Sequence, residues 1–267
     1  MSGFCKVRQN QNGELKLPYF GYITSIAIDP IEKKPLYHFQ RGSEIYSVGF
    51  AGCNLSCPFC QNYQISQDLG SGRGKHFSPK ELIENVITTN HNRKINSIAY
   101  TYSEPLVHIE YLLECMKEAH EQGMKNVLVS NGCVNTAAAE EVLEYTHAAN
   151  IDLKCFKEET YRNILGGSSI KNALSAVKNF IHTALEKKVH LELTTLVVPG
   201  INDSEEELDE CIAFVSSLEK EGTVVPWHLT AYHPAYRYSA PGTDPDFLKK
   251  IARKARNKIK YVYTGNI

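Results

Sequence analysis

Three cysteines, Cys53, Cys57 and Cys60, lie within a stretch of eight residues and are the strongest candidates for chemistry in this chain. A structural zinc site takes four ligands, usually as two separated pairs, and the sequence has no second Cys-x-x-Cys pair. Iron–sulfur clusters are also normally held by four thiolates, so three cysteines on a 4Fe–4S cluster would leave one iron without a protein ligand. Because reactive metal centres keep such a position open, the trio favours a reactive cluster, with zinc as the alternative.

The other five cysteines are scattered singly along the chain: Cys5, Cys115, Cys133, Cys155 and Cys211. Lone cysteines are usually small buried apolar residues. The eight cysteines of the whole chain are too few for a disulfide scaffold of 267 residues. We assign no metal to any of the five.

The composition predicts a globular protein, since 42% of the residues are apolar and 22% are charged. Lys and Arg number 29 against 30 Asp and Glu, a net charge of −1 that argues against a general nucleic-acid binder. No apolar run approaches the ~18 residues of a membrane span, and no secretory leader is recognisable. We therefore expect a cytoplasmic protein with no membrane partner.

Strands and helices alternate along the chain from residue 44 onward. A strand over 44–50 leads into the cysteine loop, and Ser78 with Glu81 forms a capping box that starts a helix. Further strands are predicted over 97–101, 126–130, 151–153, 190–198, 227–231 and 261–263, and further helices over 107–120, 137–145, 170–187, from 204 and over 247–257. This alternation predicts an α/β fold with a parallel, curved, barrel-like sheet over 44–267. Residues 1–43 are predicted to be an N-terminal extension with one strand, and the glycine-rich residues 70–74 a flexible loop.

Polar residues follow several of the predicted strands. They are Tyr102, Ser103, Glu104, Ser130, Asn131, Asp152, Lys154 and His233. Each has an ordinary structural interpretation, such as a Ser-Asn-Gly turn or a surface ion pair between Asp152 and Lys154. Their recurrence at the same end of successive parallel strands favours a functional site there.

The cysteine spacing, with the aromatic Phe59 before the last cysteine, resembles the signature of the radical S-adenosylmethionine (SAM) superfamily. More narrowly, the chain resembles the AmmeMemoRadiSam system radical SAM enzymes, which are related to the pyruvate formate-lyase activating enzymes. The resemblance is carried by residues 29–39, 51–62, 101–105 and 261–266, which span almost the whole chain. Fuller members of that family carry further cysteines upstream of 3–8 and downstream of 261–266.

The resemblance implies a partial (β/α)6 TIM-like barrel in which Cys53, Cys57 and Cys60 hold a 4Fe–4S cluster. It also implies SAM as a cofactor, with Tyr102, Ser103, Glu104, Asp152, Lys154 and His233 among its contacts. We expect Phe59, Asn62, Ser130, Asn131 and Leu196 to contact SAM as well. Chemically, Glu104 or Asp152 suits the SAM amine and Lys154 its carboxylate. Ser130 and Asn131 suit the ribose hydroxyls, and Leu196 could pack on adenine.

The function implied is reductive cleavage of SAM to a 5′-deoxyadenosyl radical that abstracts hydrogen from an unidentified protein, peptide or small-molecule substrate. An electron donor such as flavodoxin or ferredoxin is implied as a partner. One alternative is activation of a glycyl-radical enzyme, although Tyr102 and Ser103 replace the two glycines of the activases, and Val129 replaces an acidic residue. A second alternative, from a different class, is a non-catalytic Fe–S or zinc binding module.

Overall fold

The computed structural model describes residues 2–69, 74–90, 95–166, 172–219 and 222–267. Its strands are β1 Gln9–Gln11, β2 Glu14–Lys16, β3 Tyr22–Pro30, β4 Glu44–Phe50, β5 Lys75–His76, β6 Ser97–Thr101, β7 Lys125–Ser130, β8 Ala148–Asp152, β9 His190–Val197, β10 Trp227–Ala231 and β11 Val262–Gly265. Its α-helices are α1 Tyr63–Ser66, α2 Pro79–Thr89, α3 Ile109–Glu121, α4 Thr136–Leu143, α5 Glu158–Asn163, α6 Ala173–Glu186, α7 Glu205–Leu218 and α8 Pro245–Ala255. Short 3₁₀ turns cover Ile31–Lys33 and Pro105–His108.

Nine strands form one sheet in the order β11-β10-β9-β8-β7-β6-β4-β3-β5. The seven strands from β4 to β11 in this order are parallel, and β3 and β5 add to the β4 edge in antiparallel fashion. The α/β class with a mostly parallel sheet, predicted from the alternation, is confirmed. Six strand–helix units run from β4 to α8 before β11, and no ladder joins β11 to β4 or β5 within the described residues.

The parallel strands are largely buried, and polar residues occur among their apolar ones. All five residues of β6 are buried, and Trp227 at the start of β10 is fully enclosed. The Trp227 indole N–H donates a 3.0 Å hydrogen bond to Oγ1 of Thr195 on the neighbouring strand. The core therefore includes its one tryptophan without leaving the polar ring nitrogen unpaired.

Helix starts are set locally by capping side chains. Ser78 accepts a hydrogen bond from the Glu81 backbone N–H while the Glu81 carboxylate accepts one from the Ser78 backbone, so the predicted capping box is confirmed. Ser204 likewise accepts from the Glu207 backbone N–H at the start of α7. These bonds satisfy backbone donors that no helical carbonyl can reach.

Residues 31–39, called the plug segment below, lie across the amino ends of the parallel strands. Ile31, Leu36 and Phe39 from this segment pack in one cluster with Ile45, Ala99, Val127 and Ala148. The side-chain amide of Asn150 donates to the Pro35 carbonyl at 2.8 Å. Since β3 also pairs with β4, the predicted extension contributes directly to the sheet and to its amino-end cover.

Some local elements were not predicted from the pattern: the β1–β2 hairpin, β5, and the short helices α1 and α5. Each is two to six residues long, too short for a periodic pattern to develop. Residues 70–73 of the predicted glycine loop and residues 170–171 of the helix predicted over 170–187 lie outside the described residues. None of the described helices has the length and apolar character needed to cross a membrane.

Candidate functional site

The cysteine loop begins directly after β4 and turns back toward α1. Gly52 has a positive φ of 80°, and a Cβ at this position would lie 2.5 Å from the Cys5 carbonyl oxygen. Only glycine fits such a position without displacing the neighbouring backbone. The Gly52 N–H donates to the Ile65 carbonyl at 2.8 Å, so both ends of the loop are held together.

The three cysteine thiols occupy a shielded environment with nearby hydrogen-bond donors. The Leu55 N–H lies 3.3 Å from Sγ of Cys53, and the Ser66 hydroxyl lies 3.2 Å from Sγ of Cys60. Burial raises the pKa of Cys53 well above its ordinary range and the pKa of Cys57 to about 11. Thiols in such surroundings ionise when a metal cation compensates their charge.

A cavity of about 530 Å³ opens at the carboxyl ends of the strands. Twelve of the fourteen predicted site residues line it: Cys53, Cys57, Phe59, Cys60, Asn62, Tyr102, Ser103, Glu104, Asn131, Asp152, Lys154 and Leu196. These residues come from five segments separated by up to 143 positions in the sequence. The tertiary structure thus brings the cysteines and the polar strand ends into one site.

Glu104 is the most enclosed carboxylate of the cavity wall, with only 1% of its surface exposed. It accepts hydrogen bonds from the Ser130 hydroxyl at 2.7 Å and from the backbone N–H groups of Asn131 at 2.8 Å and Leu106 at 3.0 Å. Burial raises the pKa of Glu104 to about 7, although these three donors act in the opposite direction. A cationic amine beside it would find a well-oriented acceptor.

Ser130, which does not line the cavity, lies behind Glu104. Its Oγ donates to Glu104 and also accepts from the Gly132 N–H at 3.0 Å. The structure therefore places Ser130 as a support for the Glu104 carboxylate.

Asn131 links the strand end after β7 to the cysteine loop. Its side-chain N–H₂ donates to Oδ1 of Asn54 at 2.8 Å and lies 3.8 Å from Sγ of Cys53. Asn54 in turn donates to the Cys133 carbonyl at 2.7 Å. Asn54 was not predicted as a site residue, because a single asparagine between cysteines carries no distinctive sequence signal.

Asp152 and Lys154 form an ion pair inside the cavity rather than on the outer surface. Lys154 Nζ lies 3.0 Å from Asp152 Oδ2, and the lysine side chain is 21% exposed. Burial opposes the lysine charge, but the Asp152 carboxylate and the nearby Cys57 sulfur raise the pKa of Lys154 above its ordinary value. The pair offers one cationic and one anionic group to a zwitterionic ligand.

Tyr102 lies just after β6 with a positive φ of 68°, a strained conformation for a residue with a large side chain. Its hydroxyl donates to Asp29 Oδ2 at 2.5 Å, and Lys34 Nζ lies 4.3 Å from its ring centre. Its carbonyl accepts a 2.6 Å bond from the side chain of Asn62. Tyr102 therefore ties the plug segment and the cysteine loop to the strand end that precedes Glu104.

The remaining predicted residues differ in their positions. Phe59 is 5% exposed and meets Tyr232 edge to face, with ring centres 6.4 Å apart. His233 does not line the cavity; its Nε2 lies 2.9 Å from the carbonyl oxygen of Asn266, which does line it. His233 is thus placed at the cavity rim through a backbone contact.

The profile of the radical SAM superfamily matches residues 47–212, a range that contains the cysteine loop and the strand ends around Glu104, Asn131 and Asp152. The chain belongs to the radical SAM superfamily. It is therefore an enzyme that uses a 4Fe–4S cluster and SAM, and the alternative of a non-catalytic binding module is not supported.

Relatives within the superfamily agree with this membership. The chain is 34% identical over 268 aligned residues to an uncharacterised protein of Methanocaldococcus jannaschii, covering 99% of this chain and 76% of the relative. It is 24% identical to pyruvate formate-lyase 1-activating enzyme of Escherichia coli, over 79% of this chain and 85% of that enzyme. The fold matches a radical SAM methyltransferase from Sphaerobacter thermophilus with a TM-score of 0.62 at 13% identity, over 85% of this chain and 67% of that one.

The donor set of this radical SAM chain fits a 4Fe–4S cluster. Within the described ranges, no three His, Cys, Asp or Glu side chains converge closely enough to hold a single metal ion. A cluster takes one thiolate on each of several irons, so its ligands need not meet at one point. The three cysteines share one cavity wall, and N–H and O–H groups beside their sulfurs are the contacts that tune Fe–S clusters.

The radical SAM cavity also contains residues that sequence reasoning missed. Tyr37, Thr194, His228, Thr230 and Tyr263 also line it. All of them except Tyr37 lie in β9, β10 or β11 and alternate there with core residues. In the sequence, such a polar residue only interrupts an apolar strand pattern. Strand alternation could have indicated that they share a face, but not that this face lines a cavity.

Proposed function

We propose that this enzyme binds SAM against a 4Fe–4S cluster held by Cys53, Cys57 and Cys60 and uses it to abstract hydrogen from a bound substrate. The observation that carries the proposal is the convergence of the three cysteines, Glu104 and the Asp152–Lys154 pair on one cavity. When bound, the reduced cluster and SAM together supply methionine and a 5′-deoxyadenosyl radical, which takes a hydrogen atom from the substrate.

The chain's own residues orient SAM in this proposal. Glu104 is oriented by three hydrogen-bond donors and accepts a hydrogen bond from the methionine amine. Lys154 contacts the methionine carboxylate. Asn131 faces the ribose while it steadies the Cys53 loop, and Leu196 provides an apolar surface for adenine. Phe59 and Asn62 support the loop from the other side.

Tyr102, Ser103, Ser130 and His233 act as supports in the proposed complex. The Ser103 hydroxyl donates to the Phe50 carbonyl at 2.7 Å, which fixes the turn after β6 against the end of β4. Ser130 holds the Glu104 carboxylate, and His233 holds the chain at Asn266. These contacts keep the binding groups in place before SAM arrives, which lowers the cost of binding.

An electron donor must reduce the cluster for each SAM that is cleaved, and flavodoxin or ferredoxin is the class of donor we propose. The test is anaerobic reconstitution with iron and sulfide, followed by dithionite and SAM and measurement of 5′-deoxyadenosine. We expect about four irons per chain and formation of 5′-deoxyadenosine. A full complement of iron with no 5′-deoxyadenosine would refute the proposed reaction.

A second candidate is activation of a glycyl-radical enzyme, in which the abstracted hydrogen comes from a backbone glycine. The similarity to pyruvate formate-lyase 1-activating enzyme over 85% of that enzyme's length supports it. The test is electron paramagnetic resonance on pyruvate formate-lyase incubated with this enzyme, dithionite and SAM. A glycyl-radical signal would favour this candidate, and its absence alongside 5′-deoxyadenosine formation would favour another substrate.

A further inference from the structure

A buried carboxylate, Glu192, lies behind the cavity-lining residues Tyr37 and His228, and none of the proposed SAM contacts uses it. Its side chain is fully enclosed and accepts hydrogen bonds from the backbone N–H groups of Tyr37 at 3.0 Å and His38 at 2.7 Å. It also lies 3.0 Å from Nε2 of His190 and 2.7 Å from Nε2 of His228. Four donors surround one carboxylate, so Glu192 is held in a single orientation.

Besides Tyr37, His228 is the member of this network that lines the cavity. It is 3% exposed and its ring lies among the cavity-lining residues. Because Nε2 of His228 donates to the Glu192 carboxylate, we assign the ring proton to Nε2 and the acceptor lone pair to Nδ1. Nδ1 of His228 has no hydrogen-bond partner among the described residues. It keeps some accessible surface, whereas Nδ1 of His108 is fully buried without a partner.

The rings of Tyr37 and Tyr263 pack against the His228 imidazole, and these three rings are called the floor below. The Tyr37 ring meets His228 edge to face with centres 4.6 Å apart, and the Tyr263 ring stacks on it at 5.3 Å. The Tyr263 hydroxyl is held 2.7 Å from Nε2 of His38. Flat rings pack well on such an aromatic surface, and the unpartnered Nδ1 of His228 adds one directional acceptor.

Strand register places this floor beside the proposed SAM site. Asp152 pairs with Thr194, Thr194 with His228, and His228 with Tyr263, so the four form one row across β8 to β11. Neighbouring strands are about 4.8 Å apart, which puts the backbones of Asp152 and His228 about 10 Å from each other. A molecule on the floor would therefore lie next to SAM bound at Asp152 and Lys154.

We propose that the floor formed by Tyr37, His228 and Tyr263 binds the substrate from which the hydrogen atom is abstracted. This substrate carries a flat aromatic or heteroaromatic ring with an O–H or N–H group, and that group donates a hydrogen bond to Nδ1 of His228. The inference rests on the proposed function because the same cavity must hold SAM and substrate together. Glu192 acts as a positioning residue, since it sets which ring nitrogen of His228 faces the cavity.

The test uses two matched probes, 4-fluorophenol and 4-fluoroanisole, which differ in the O–H group. Binding to the reconstituted enzyme with SAM is measured by fluorine NMR of the probes. One hydrogen bond predicts that 4-fluorophenol binds about tenfold tighter than 4-fluoroanisole. We expect His228→Phe to abolish this difference, and the control His182→Phe, which changes a histidine outside the cavity, to retain it.

The inference would be overturned if the wild-type enzyme bound the two probes with equal affinity or did not bind 4-fluorophenol. A tenfold difference between the probes that survives in His228→Phe would overturn it as well. Should His228→Phe fail to fold, Tyr263→Leu serves instead, because loss of its ring should weaken both probes severalfold. Unchanged binding of both probes to Tyr263→Leu would also overturn the inference. Formation of 5′-deoxyadenosine in the same wild-type preparation, with no probe present, tests the proposed function separately.

Discussion

The Tyr102 hydroxyl donates a 2.5 Å hydrogen bond to Asp29 Oδ2 and so joins two segments separated by 73 residues. Asp29 also accepts from Lys34 at 2.8 Å, and both Asp29 and Lys34 are buried. Burial acts to raise the pKa of Asp29, but the hydrogen bonds from Lys34 and Tyr102 outweigh it and hold this pKa well below the ordinary range. The plug segment and the strand end before Glu104 are therefore fastened to each other by an ionised carboxylate.

Tyr102→Phe removes one donor from this buried carboxylate and should lower the free energy of unfolding by about 1–3 kcal/mol. Urea denaturation followed by circular dichroism measures the change. Tyr19→Phe, at a tyrosine outside this network, is the control and should leave stability within about 0.5 kcal/mol of wild type. Equal stability of Tyr102→Phe and the control would show that the hydroxyl contributes nothing to the fold.

Cys57→Ala should eliminate the cluster because only two thiolates would remain on the cavity wall. Iron content and the visible absorbance of the reconstituted protein measure this loss, and 5′-deoxyadenosine formation should disappear with it. Cys211→Ala is a matched control, since Cys211 is buried between helices away from the cavity. A Cys57→Ala protein that retains the iron content of the control would contradict the ligand assignment.

Lys154→Met should weaken SAM binding by about tenfold to a hundredfold, because a charge-assisted contact to the methionine carboxylate is lost. Titration calorimetry on the reconstituted protein measures the dissociation constant. Lys187→Met is the control, since Lys187 pairs with Glu144 on the outer surface. If Lys154→Met and Asp152→Asn both bind SAM as tightly as wild type, this pair does not belong to the SAM site.

Protonation of Glu192 should make the fold less stable as the pH falls. Burial raises its pKa, but the bonds from His190, His228 and the backbone of Tyr37 and His38 outweigh this and lower the pKa to about 2, against 4.5 ordinarily. A carboxylate with a depressed folded-state pKa contributes its stability above the unfolded value and loses it as pH falls toward the folded value. The full contribution, about 3 kcal/mol, should be present above about pH 5 and decline between about pH 4.5 and 2.

Urea denaturation of wild type and Glu192→Gln between about pH 6 and 3.5 checks this expectation. The free energy of unfolding should fall more steeply with decreasing pH in wild type than in Glu192→Gln, because glutamine does not titrate. Parallel pH profiles for the two proteins would show that the folded structure does not depress this pKa.

Local sequence determined the secondary-structure elements of this protein and suggested its cluster ligands. The spacing of Cys53, Cys57 and Cys60 predicts a cluster site because residues on one short loop stay close together in any fold. The Ser78 capping box and the apolar periods of the strands acted in the same way, since each is decided within a few residues. The ligand count favoured a reactive cluster over zinc, and the resemblance to the radical SAM superfamily implied SAM as the cofactor.

Only the tertiary structure decided which side chains meet. Strand register brings His228 and Tyr263 beside Asp152, and the plug segment carries Tyr37 to Glu192 across 155 positions of sequence. It also pairs the Ser130 hydroxyl with Glu104 and places His233 beside the Asn266 carbonyl, contacts that the sequence did not indicate. Such pairings depend on the register of distant strands, and a single sequence contains no local pattern that specifies them.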